Sequence, residues 1–191
     1  MTRQFQASRL NMQAFAQQGE ALVETTSLHN LHRLTQEAHK TQDEHDAQTE
    51  SVVKWRALAE LREHPGAEAD VWLHLAASTS IDLTCQRCMQ AVSMPLEVDQ
   101  WYRFVATEEI AMAEDDASEE DLLVMEPQFD LPALLEDELL MALPLVPMHQ
   151  QCPESASKAS QSVIQSTAAM VDDEPVEKPN PFAVLAQLKK K

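Results

Sequence analysis

Cys85 and Cys88 stand two residues apart in the stretch Thr84-Cys-Gln-Arg-Cys-Met-Gln90, between segments that read as β-strands. The third cysteine, Cys152, comes three residues after His149. A Cys-x-x-Cys turn presents two sulfur ligands at the bite zinc prefers, and His149 with Cys152 would complete a tetrahedral N/S set. That reading expects one structural zinc joining the turn to the segment that carries His149. Two others use the same residues: a zinc-free thiol pair packed at the turn, or a redox pair, although no βαβ pattern surrounds it. Met89 stands where a zinc knuckle often has glycine. His29, His32, His39 and His45 are irregularly spaced among carboxylates and read as a solvated segment.

The elements that must position these residues follow from periodicity. Ala21 to Leu28 reads as a strand. Ser51 to Arg62 alternates, with Val53, Trp55, Ala57, Ala59 and Leu61 on one face and Lys54, Arg56, Glu60 and Arg62 on the other. After the turn signal His64-Pro-Gly66, Asp70 to Leu83 places Val71, Leu73, Leu75, Ile81 and Leu83 on one face. Met89 to Val105 follows the cysteine turn, and Leu122 to Met125 is a short fifth strand. The acidic run from Glu108 to Asp121 between them reads as a solvated loop or as a docking site for a basic segment. Near the N-terminus, Leu10, Met12, Ala14 and Phe15 suggest a short helix or a capping segment.

Phe129 to Leu143 is the strongest helix signal, with Asp130 as N-cap, Pro132 in the first turn and Pro144 after the end. Leu131, Leu134, Leu135, Leu139 and Ala142 form one apolar arc, and Glu138 falls inside it. A carboxylate there is costly unless partnered, so either the face is partly open and the side chain reaches water, or Glu138 is buried against a cation near the cysteine turn, with Arg87 the first candidate. Leu143 to His149 is stiffened by Pro144 and Pro147. The sequence predicts an α+β fold: an antiparallel β-meander or partly open barrel, a C-terminal amphipathic helix and a flexible acidic tail. One β-rich domain would cover 1–152, a disordered linker 153–179, and a short basic amphipathic helix 180–191, with Phe182, Leu185 and Leu188 at helical spacing and lysines at its end.

The chain has 191 residues, 44% of them apolar, enough for a sizeable core. With 32 acidic against 14 basic residues the net charge is -18, which suits a basic protein partner better than bare nucleic acid. Two glycines leave no Gly-rich phosphate loop. No apolar run is long enough to cross a membrane and the N-terminus lacks a signal pattern, so a cytoplasmic protein is expected.

Three motifs in order resemble the YceD family, the large ribosomal RNA subunit accumulation proteins: Leu83-Thr-Cys-Gln-Arg-Cys-Met-Gln90, the segment Phe129 to His149, and the ending Lys178-Pro-Asn-Pro-Phe-Ala-Val-Leu-Ala-Gln-Leu-Lys189. Residues 1–50 match only loosely. The resemblance implies a bacterial factor that supports synthesis, processing or stability of 23S ribosomal RNA. It implies no known catalytic activity and no active site to carry over. Partners would be a large-subunit precursor or a basic ribosomal or assembly protein, with no membrane and no small-molecule substrate. The alternative is a metal- or thiol-dependent enzyme or redox protein using the cysteine pair. A third reading is direct RNA contact through Lys54, Arg56 and Arg62 with Trp72 and Trp101 as stacking groups, although tryptophans at such spacing more often belong to a core.

Overall fold

The computed structural model describes residues 5–39, 51–63 and 68–153. Residues Met1–Gln150 make one unit. The expected linker, the C-terminal helix and its Phe182 and Leu185, along with His45, lie outside the described residues.

Five strands form one sheet: β1 (Ala21–Ser27), β2 (Val52–Arg62), β3 (Asp70–Thr84), β4 (Ala91–Val105) and β5 (Asp121–Val124), in the order β1-β2-β3-β4-β5. The first four pair antiparallel with their neighbours. β5 instead runs parallel to β4, from Tyr102↔Asp121 to Val105↔Val124, so the sheet is mixed and not antiparallel throughout. A parallel neighbour needs a crossover, and residues 106–120 supply it. Part of that stretch, expected to be a solvated loop, is helix: α3 (Glu108–Glu114). Thr107 caps it by accepting from the Ile110 N–H at 3.4 Å, and Glu108 and Glu109 sit in the first turn, where the helix dipole favours negative charge. The sheet is also open rather than barrel-like, because β1 and β5 are its two edges and do not meet.

Period-two alternation buries one face. Val53, Trp55, Ala57 and Ala59 of β2, Val71, Leu73 and Leu75 of β3, and Leu96, Tyr102 and Phe104 of β4 form the core. α1 (Met12–Gln18) lays Met12, Phe15 and Ala16 over β2 and β3. Its ends are fixed by Asn11, which accepts from the Ala14 N–H at 2.8 Å, and by Gly19 in the left-handed region at φ +64°. α4 (Leu131–Met141) buries Leu131, Leu135, Glu138 and Leu139. Asp130 caps it by accepting from the Ala133 N–H at 3.2 Å. Leu10 and Phe129 exchange backbone hydrogen bonds of 2.9 and 2.8 Å, which ties the N-terminal segment to the start of α4.

A polar clasp joins α2 (His32–Glu37) to α4. Glu136 accepts from the Arg33 N–H at 2.7 Å and the Leu34 N–H at 3.2 Å, so a carboxylate from one helix caps the N-terminus of another. The Arg33 guanidinium also reaches Glu136 at 3.1 Å and Asp137 at 2.5 Å. Burial pushes the Glu136 carboxyl up, but the Leu34 and Arg33 donors outweigh it and hold it below the ordinary carboxylate range.

Glu138 is buried, with 7% exposed, but among the described residues no ion pair joins it to Arg87, which is exposed. The hairpin length separates them. Glu138 lies beside Tyr102, which faces Leu73, and the strand from Leu73 to the turn covers about 35–40 Å. Burial raises the Glu138 carboxyl most; Tyr102 moderates this, and Asp121 and Asp137 add to it. Burial likewise raises the Tyr102 phenol, whose hydroxyl stands near Glu138 but falls short of a well-formed hydrogen bond.

Candidate metal centre

The β3–β4 hairpin ends in a tight turn. The Cys85 N–H donates to the Gln90 carbonyl at 2.9 Å, and the Met89 N–H donates to the Cys85 carbonyl at 2.8 Å. Met89 is the non-glycine residue with positive φ among those described, at +59°. The turn therefore takes the backbone shape that glycine favours, with a methionine in it.

The chain returns to this turn after α4. Pro144 and Pro147 each fix φ in a segment that bends at Leu145 and Val146, and the Pro147 carbonyl accepts from the Gln86 N–H at 2.9 Å. That bond sets His149 over the turn. The His149 N–H donates to Cys85 Sγ at 3.4 Å, and Cys88 Sγ lies 3.4 Å from His149 Nδ1. The ligand atoms of Cys85, Cys88, His149 and, three residues further along the chain, Cys152 all lie within 4.8 Å of one another.

Cys85 is fully buried, and burial pushes its thiol up. The backbone N–H groups of His149, Arg87 and Cys88, together with the His149 side chain, outweigh that and bring it from 9.0 to about 5. Donors converging on one sulfur favour the thiolate, the form that ligates metals. In a tetrahedral zinc site with Zn–S of about 2.3 Å, the ligand atoms stand roughly 3.8 Å apart. The donor set and its spacing therefore fit a metal ion with little rearrangement, and these four residues could hold one. They are the one such group of three or more histidine, cysteine or carboxylate ligands gathered among the described residues. His39 is bound elsewhere: its N–H donates to the Asp82 carbonyl at 2.7 Å and its Nδ1 lies 2.9 Å from Thr84 Oγ1.

The two tryptophans proposed for RNA stacking lie on the sheet face opposite the core, and neither is buried. They are not vacant platforms. The Arg62 guanidinium carbon sits 4.1 Å from the Trp72 ring centroid and 4.2 Å from that of Trp101. His74 stacks on Trp101 at 4.5 Å and binds Asp99 at 2.5 Å.

Sequence reasoning missed the Arg33–Glu136 clasp and the return of Pro147 onto Gln86. Helical charge spacing carries no signal for contacts across about a hundred residues. The two prolines did signal a stiff segment, but not where it would dock.

The family model described as "Large ribosomal RNA subunit accumulation protein YceD" matches residues 73–189, which take in all four candidate ligands. The chain belongs to the YceD family. The Large ribosomal RNA subunit accumulation protein YceD of Haemophilus influenzae is 39% identical over 118 residues, 58% of this chain and 61% of that relative. The match therefore spans about three fifths of the relative's length. No solved structure matches the chain. Among the described residues, no helix is long and apolar enough to cross a membrane.

Proposed function

We propose that this chain is a non-catalytic ribosome-biogenesis factor of the bacterial cytoplasm. It supports synthesis, processing or stability of the 23S ribosomal RNA of the large subunit. It does so by holding a basic ribosomal or assembly protein. The observation that carries this reading is membership of the YceD family over residues 73–189. The net charge of -18 supports a cationic protein partner over bare RNA.

The cysteine centre has a structural role in this reading. Cys85, Cys88, His149 and Cys152 hold one zinc ion, which pins the proline segment after α4 to the tip of the β3–β4 hairpin. The complete burial of Cys85 supports this over thiol chemistry, since a reactive cysteine must meet its substrate. Four protein ligands also leave no open position for catalysis.

Deleting the gene should lower mature large subunits relative to small ones, and the protein should travel with large-subunit precursors on sucrose gradients. Normal subunit levels in the deletion strain would reject the assignment. Elemental analysis of protein purified without chelator should find about one zinc per chain, and a value below roughly 0.1 removes the metal. Cys85→Ser with Cys88→Ser should lose the fold around the turn. A well-folded double variant that fails only in the cell would favour the enzyme or redox alternative.

A further inference from the structure

β5 is a thinly covered part of the sheet. Leu122, Leu123 and Val124 are consecutive apolar residues, and none is buried. Its strand partner is β4, so among the described residues no strand occupies its other edge. A groove of about 570 Å³ runs beside it, lined by β5, Phe129 and residues of α3 and α4. Five carboxylates line this groove and no lysine or arginine does. Asp137 is taken by Arg33 and Asp130 caps α4. Glu108, Asp115 and Glu126 have no ion pair among the described residues. Met112, 75% exposed, lines the groove from α3.

We propose that this groove receives an extended basic segment of a partner protein, which adds as a strand to β5 and alternates cationic with apolar side chains. The inference rests on the reading that the chain holds a basic protein, and it names the place and the form of the segment held. A free strand edge offers backbone donors and acceptors to an added strand. The period of two sends every other side chain of that strand toward the apolar residues of the groove, and the remainder meet the carboxylates. Phosphate is repelled by the same carboxylates, which excludes a nucleic-acid strand. A second copy presenting this groove would set acid against acid.

The test uses the full chain and a fluorescein-labelled peptide alternating lysine with valine, read by anisotropy. Binding should be saturable, and the same peptide with glutamate for lysine should not bind. Glu108→Lys with Glu126→Lys should weaken binding at least about tenfold, whereas Glu24→Lys with Glu97→Lys, the same charge change away from the groove, should alter it less than about twofold. Absence of binding to the wild-type chain, or equal losses from the two pairs, overturns the groove.

Two other occupants are separated in the same experiment. If Lys189→Glu, Lys190→Glu and Lys191→Glu together raise peptide affinity about tenfold, the groove belongs to the chain's own basic end, and the partner proposal falls. If the wild type sediments as a dimer that the groove pair dissociates, the face joins two copies, and the proposal falls equally. Co-sedimentation with large-subunit precursors is measured separately. A wild type that travels with them while the groove pair binds peptide normally sinks only the groove.

Discussion

Met89 offers a sharp test of the turn that carries the cysteines. Its φ of +59° places a β-carbon in the left-handed region, at a cost of about 1–2 kcal/mol. The side chain is 67% exposed, so its removal sacrifices little burial. Met89→Gly removes the backbone cost but frees the unfolded chain, which returns about 0.4–1 kcal/mol. The difference is a net stabilisation of roughly 0.5–1 kcal/mol, and for a chain of this length that raises Tm by about 1–3 °C. Calorimetry should be run on zinc-loaded and on chelated protein, so that metal content does not masquerade as backbone energy. Met89→Ala keeps the β-carbon and should stay near the wild type, while Met89→Val, branched at that carbon, should lower stability by about 1 kcal/mol. A glycine variant no more stable than the alanine variant would refute the strain reasoning.

Other outcomes follow from the clasp, the buried acid and the proposed metal. Glu138→Gln should stabilise the protein by about 1 kcal/mol at neutral pH in denaturant titration, because it retains the shape and removes a buried charge. The wild-type carboxyl is raised above 4.5, so its ionisation destabilises the fold at neutral pH and the deficit closes as pH falls through the raised value; a gap between variant and wild type that widens on acidification contradicts this. Glu136→Ala should cost about 1–2 kcal/mol by uncapping α2. Because Glu136 is held below its ordinary value, its contribution is present above that value and lost as pH falls through the lowered one, so the variant should show a shallower acid transition. Chelating the metal should lower Tm and should deprotect the amides of residues 143–149 in hydrogen exchange before those of β2 and β3, and uniform deprotection would deny the centre its local role.

Strong, short-range periodicity was legible. β2, β3, β4 and α4 fall close to where alternation and capping put them, because Val53, Trp55 and Leu73 report burial directly through spacing. The parallel seat of β5 was not legible. Direction in a sheet is set by the crossover, and the acidic stretch hid α3 because charge density suggested solvent while Thr107 and the first-turn glutamates favoured a helix. For the site, the Cys-x-x-Cys and His-x-x-Cys spacings named the four residues that come together. The apolar arc left two readings of Glu138, open to water or buried, and the structure buries it, but against a neighbour the sequence did not name. Periodicity fixes which way a side chain points along its own helix and says nothing of what waits opposite, here Tyr102 rather than Arg87.

The β3–β4 hairpin pairs without interruption from Val71↔Phe104 to Thr84↔Ala91. A two-stranded hairpin alone is marginal in water, so the apex that carries Cys85 and Cys88 gains its order as the neighbouring strands and helices close on it. His149 follows Cys88 by 61 residues, and at about 5–20 residues per second it is delivered roughly 3–12 s later. Until then the two thiols of the turn have no imidazole beside them. On the proposed zinc reading, the centre can close only once His149 and Cys152 have both been made.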